Sequence, residues 1–149
     1  MKKIKYILIA IIIGMIIGKY IFNQYNNQSI QTMSERNYVY LLQYGVYKDI
    51  NNMKKSAQNL PNYLYYYDKD GYHVFIGITK NKKNYKKIVD SYQLSVNIYM
   101  KRVNIDNNNF IDLLDQYEKV INQTDDKQII INAQKQLLSK YEELIIKNE

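Results

Sequence analysis

The stretch YVYLLQYGVYKD, Tyr38 to Asp49, decides the fold. Its aromatic and aliphatic residues suit a strand, Gly45 marks where that strand gives way to a turn, and Asp49 is suited to cap a helix. A strand alternates its side chains between two faces, so Val39, Leu41 and Gln43 share one side and Leu42 and Tyr44 take the other. An amide in so apolar a run raises the question of what the side carrying Gln43 touches.

The pattern recurs. LQYGVYKDINNMKKSAQNL, residues 42 to 60, aligns without gaps on VFIGITKNKKNYKKIVDSY, residues 74 to 92, at an offset of 32. Each copy runs from an apolar strand through Gly45 or Gly77 into a helix with one buried stripe: Ile50, Met53, Ala57 and Leu60 in the first, Tyr85, Ile88, Val89 and Tyr92 in the second. Asp49 and Asn81 are the expected N-caps. Strand candidates follow at Tyr63 to Tyr67 and Val96 to Arg102, and Asp68 to Gly71 supplies a hairpin turn. The order βαββαβ predicts an α+β domain, a four-stranded antiparallel sheet with two helices on one face and the other face bare. Gln43 and Phe75 occupy equivalent repeat positions and are expected on the bare face with Leu41 and His73, while Leu42, Tyr44, Val74 and Ile76 point toward the helices. On the last strand Ile98 and Met100 suit the core, which turns Asn97, Tyr99 and Lys101 outward.

The flanks read differently. Lys2, Lys3 and Lys5 precede an apolar run from Tyr6 to Gly18, which Tyr20, Ile21 and Phe22 extend beyond Lys19 to near the minimum needed to cross a bilayer. No small-x-small cleavage pattern follows, so residues 1 to 22 are expected to be an uncleaved transmembrane signal anchor. The basic flank places the N-terminus in the cytoplasm and the remainder outside the membrane, as a single-pass protein. Residues 23 to 37, rich in Asn, Gln and Ser, read as a polar linker with a reach of at most about 50 Å. Residues 38 to 103 form the repeat domain. Residues 104 to 149 carry two helical stripes, Phe110, Leu113, Leu114, Tyr117, Val120 and Ile121, then Ile130, Ala133, Leu137, Tyr141, Leu144 and Ile145, with Thr124, Asp125 and Asp126 at the cap between them. They predict an amphipathic hairpin that packs on the domain or on itself. Residues 38 to 103 hold eleven Lys or Arg against four Asp or Glu, and residues 104 to 149 hold five against nine, a contrast that favours docking or selective partners. The run Lys80, Lys82, Lys83, Lys86 and Lys87 reads as a solvated helix face that suits anionic wall polymers or phospholipid headgroups as well.

Composition removes several chemistries. With no cysteine in 149 residues, a disulfide framework, a thiol nucleophile and a thiolate zinc site are excluded, and a single histidine cannot supply the imidazoles of a metal hydrolase. No nucleophile stands beside a base, and the acidic pairs Asp125 with Asp126 and Glu142 with Glu143 suit helix caps and solvated faces. No catalysis, metal or cofactor is expected.

YLLQYGVYKD with its downstream Met53 and Leu60, and GYHVFIGI with Tyr85 and Tyr92, resemble the two halves of a SPOR domain, in which an aromatic-x-V-Q-x-G strand precedes the first helix and a second glycine-bearing strand opens the second half. The resemblance spans roughly Tyr38 to Val103; it departs at Val46, where serine is common, and at His73, where arginine is common. It implies binding of septal peptidoglycan, glycan strands stripped of stem peptides, by the bare sheet face. Gln43, Leu41, His73, Phe75 and Tyr99 are the glycan-binding candidates: an amide for hydroxyl and acetamido groups, aromatic rings for the flat faces of sugars. His73 also suits an ordinary cross-strand surface role, and Gln43 the polar side of an ordinary alternation. Phe75 needs a cover, either glycan or the tail.

Three function classes compete. The first is a membrane-anchored peptidoglycan-binding protein of the cell envelope, acting at the septum in cell division, in sporulation or at another remodelling site. The second is an envelope scaffold whose SPOR-like fold and helical tail bind another envelope or divisome protein. The third is RNA binding, because KDGYHVFIG is loosely similar to the signature strand of an RRM. The expected topology argues against the third, so no nucleic acid is expected as a partner.

Overall fold

Eight elements follow one another along residues 38 to 147, which a computed structural model describes. They are β1 (Tyr38–Tyr47), α1 (Ile50–Ala57), β2 (Leu64–Asp68), β3 (Gly71–Thr79), α2 (Asn84–Tyr92), β4 (Tyr99–Asn104), α3 (Asn108–Gln123) and α4 (Lys127–Lys147). The expected anchor and linker lie outside the described residues, among which no helix is long and apolar enough to cross a membrane.

The four strands form one antiparallel sheet in the order β2-β3-β1-β4. Lys69 and Asp70 turn β2 into β3, with the Asp70 N–H donating to Asp68 Oδ1 at 2.8 Å. Gly71 closes that turn at φ +129, and a Cβ there would lie 2.5 Å from the Tyr47 carbonyl oxygen, so only glycine fits. Gln43 pairs with Phe75 across β1 and β3, between two register shifts. The shifts let Phe75 and Ile78, three residues apart, join the same side of the sheet, where simple alternation would separate them.

The helix caps account for most element boundaries. Asp49 Oδ1 accepts from the Asn51 and Asn52 N–H groups, both at 2.9 Å, and starts α1. The second helix starts later than expected, at Asn84, because Asn81 instead takes the Lys83 N–H at 3.0 Å and holds a turn ahead of it. Asn107 caps α3 through Phe110, and Asp126 caps α4 through Gln128 and Ile129. Both later strands are displaced toward the C-terminus, β2 by one residue and β4 by more, because Val96 stands exposed in a bend and Ile98 is the first buried residue before β4.

The first helical layer matches expectation. Met53 and Ala57 of α1 pack with Val74, and Ile88 and Tyr92 of α2 pack with Leu42, Ile76 and Ile98. The opposite face is not bare, which corrects the expectation from the repeat. α3 and α4 fold back as a hairpin, Phe110 against Tyr141 with ring centroids 5.9 Å apart. Phe110, Ile111, Leu114, Leu137 and Leu138 close over Val39, Leu41, Leu64, Phe75 and Ile78. Each such side chain contributes roughly 1.5–3 kcal/mol when removed from water, which is why the two tail helices take this face instead of leaving both surfaces wet. The far end of the hairpin, Ile121, Ile130 and Ala133, joins the core of α2.

Polar contacts fix where the hairpin sits. Glu118, buried on α3, accepts from the Lys80 N–H at 2.9 Å and from the Thr79 hydroxyl and the Asn84 amide, tying α3 to the loop between β3 and α2. β3 runs beyond the end of β2, and there the Ile78 N–H finds no strand; Gln134 Oε1 of α4 accepts it at 2.7 Å. A Cβ at Gly77 would stand 2.8 Å from that oxygen, so the second repeat glycine makes room for the tail. Lys80 pairs with Asp115 at 2.6 Å and Lys87 with Asp125 at 2.9 Å, so two lysines of the run read as a solvated face meet carboxylates of the tail.

Candidate binding surface

The hairpin covers the upper part of its sheet face and leaves the part nearer the β2–β3 turn partly open. The register lines up the residues there, the shift between Gln43 and Gly45 bringing Val46 to the side of Gln43: Val46 and Gln43 on β1, His73 on β3, Tyr66 and Asp68 on β2, Tyr99 and Lys101 on β4. Tyr99 is 66% exposed and Val46 42% exposed, and Gln43, Tyr66, Asp68 and Lys101 are half-buried.

The five expected site residues divide sharply. Leu41, 1% exposed, and Phe75, 0% exposed, lie under the hairpin and reach no surface; the cover that Phe75 requires is the tail. His73 is 6% exposed and forms a partly hidden floor. Gln43 reaches the open strip in part and Tyr99 fully. The correction has one physical cause: alternation correctly puts Leu41 and Phe75 on the face away from α1 and α2, but that face belongs to a second apolar layer.

His73 organises the strip from below. Its ring stacks on Tyr66, centroids 5.0 Å apart and planes 16° apart, and Tyr66 stacks in turn on Phe75 at 5.4 Å. Nε2 lies 2.9 Å from Asp68 Oδ1 and Nδ1 lies 3.3 Å from Gln43 Oε1. An ionised carboxylate only accepts, so Nε2–H donates to Asp68; Gln43 can meet either state of Nδ1 by turning its amide. Burial works against the Asp68 charge, but the Asp70 N–H, the His73 ring and the Gly71 N–H outweigh it and hold the carboxyl below its ordinary pKa. Asp68, Asp70 and His73 bring their ligand atoms within 4.8 Å of one another. His73 and Asp68 are already committed to each other, to Gln43 and to the turn, so the trio is a hairpin brace.

Lys101 and Tyr66 were not singled out as site residues by the sequence. Lys101 extends from β4 across the sheet and donates from Nζ to the Tyr66 hydroxyl at 2.6 Å. Only the register makes this visible, because the two lie on opposite edge strands. Tyr141 of α4 stands near Tyr66; burial pushes the Tyr141 phenol pKa up and Tyr66 adds to the shift. The strip therefore ends where α4 begins to cover the sheet. Its chemistry is an amide, two phenols, an aliphatic methyl surface, one ammonium and the Asp68 carboxylate held by His73. No family model, no curated protein and no solved structure matches the chain.

Proposed function

We propose that the chain is a membrane-tethered cell-envelope protein whose SPOR-like domain binds peptidoglycan glycan strands, at the septum or at another site of wall remodelling, without catalysis. The observation that carries the reading is the open strip on the tail side of the β2-β3-β1-β4 sheet, where Tyr99, Gln43 and the Lys101–Tyr66 pair combine ring faces with amide and hydroxyl hydrogen-bonding groups. A neutral sugar strand offers flat C–H faces, hydroxyls and acetamido groups, which this set complements. His73 serves as the floor of the strip, and Leu41 and Phe75, the other two expected contacts, lie beside it under the hairpin. The expected signal anchor would place the domain outside the membrane and near it.

A second reading is favoured by the hairpin, which takes most of the face that a long glycan would need. In that reading the protein is an envelope scaffold and the strip and helices bind another protein. Sedimentation of the full chain, in detergent, with intact, amidase-stripped and glycan-digested sacculi separates the two. Binding that requires stripped glycan and weakens about 2- to 10-fold in Gln43→Ala or Tyr99→Ala supports the first. A folded chain that ignores all three preparations leaves the scaffold.

A further inference from the structure

On the α2 side of the sheet, away from the strip, two cations rest on tyrosine rings. Arg102 Cζ lies 3.7 Å from the Tyr38 ring centroid and Lys82 Nζ lies 5.2 Å from that of Tyr40. Tyr40 and Arg102 are cross-strand partners and Tyr38 is two residues from Tyr40, so the four side chains are contiguous on one face. Lys82, Arg102 and Tyr38 are exposed, and Lys83 and Lys86, also exposed, extend the charge along α2. Among the described residues neither Lys82 nor Arg102 forms a salt bridge, whereas Lys80 and Lys87 of the same run are neutralised by Asp115 and Asp125. The acidic tail thus leaves the positive charge concentrated on the Tyr38 side.

We propose that the patch of Tyr38, Tyr40, Lys82 and Arg102 docks the domain on anionic phospholipid headgroups of the membrane that holds the chain. The inference rests on the reading of residues 1 to 22 as an anchor. A guanidinium stacked on a ring keeps its edge N–H groups free to hold phosphate oxygens, and tyrosine suits the boundary between headgroup and water. Tyr38 is the first residue of β1 and follows directly on the fifteen linker residues, whose full extension is at most about 50 Å, so the patch stands at the end of the domain where the tether joins and within its reach of the bilayer. Each basic side chain near an anionic surface adds about fivefold to binding, and tethering turns that weak preference into occupancy.

The test places the full chain in nanodiscs of phosphatidylcholine alone or mixed with phosphatidylglycerol, at physiological salt, and measures acetylation of each lysine by mass spectrometry. Lys82 should react at least about fivefold more slowly in the anionic discs, while Lys54, Lys55 and Lys69 keep their rates, and Arg102→Gln should restore at least half of the Lys82 rate. Equal Lys82 rates in both discs, with the chain co-eluting, overturn the docking and leave the anchor standing. A chain that does not co-elute with either disc overturns the anchor and the docking with it. Stronger protection by soluble poly(glycerol phosphate) in neutral discs than by anionic lipid assigns the patch to a wall polymer and overturns the lipid.

Discussion

One face of the sheet is two environments. Around Leu41 and Phe75 it is dry, roofed by Phe110, Leu114 and Leu137; around Gln43 and Tyr99 it remains partly wet and polar. Leu41 and Gln43 are only two residues apart on the same strand and the same side. Strand alternation assigns both to one face, and what then separates them is a helical hairpin whose roof residues, Phe110 to Leu137, come much later in the chain. Sidedness is a local property of the backbone, whereas exposure depends on everything that can dock afterwards.

The largest test of this contrast is Phe75→Ala. If the roof is as described, the change should cost about 3–5 kcal/mol, read as a lowered denaturant midpoint with an unchanged slope. A loss under about 0.5 kcal/mol would mean that Phe75 faces solvent and that the hairpin does not close over it.

Glu118→Ala should come next, at about 1–3 kcal/mol, because the Lys80 N–H, Thr79 and Asn84 lose a buried acceptor together. Hydrogen exchange should then rise at residues 79 to 84. If those amides stay protected and stability is unchanged, Glu118 is not what holds α3 to the sheet.

Asp68 sharpens the polar half. Its folded-state pKa is lowered, so the stability it brings is present above the unfolded value near 4 and is lost as pH falls through the folded value. Acid titration of the parent and of Asp68→Asn should therefore show the parent's advantage begin to fall near pH 4 and shrink further in stronger acid. An advantage that does not shrink on acidification would remove the carboxylate from the account.

The smallest expected effect on folding is Tyr99→Ala, under about 0.5 kcal/mol in thermal melts, since the ring is mostly solvated. The same variant is expected to bind stripped sacculi about 2- to 10-fold more weakly. Destabilisation as large as that of Phe75→Ala would erase the difference between the two halves.

Much of the sheet was legible because its signals are local. The offset repeat aligned Gln43 with Phe75, and the two prove to be partners across β1 and β3. The two tail helices were legible from their stripes, which state that each needs a surface. A stripe does not state which surface, and the docking depends on polar residues that look unremarkable in a helix. Glu118 and Gln134 lie outside the two apolar stripes, yet both are buried because each meets backbone N–H groups that no strand or helix satisfies. The candidate site was less legible for the same reason. Lys101 was expected to point outward and does, but its reach to Tyr66 depends on the width of the sheet and on the order of its strands.

The contact between Ile78 and Gln134 joins residues 56 apart in the chain. A growing polypeptide therefore makes all four strands well before it makes the helix that finishes β3. Until residues 134 to 138 have emerged, Leu41 and Phe75 have no roof and the tip of β3 keeps an open edge, the two features by which unfinished chains stick to one another. Completion of this sheet thus waits on α4, and a truncation that removes α4 should leave a four-stranded sheet with an uncovered face, prone to self-association.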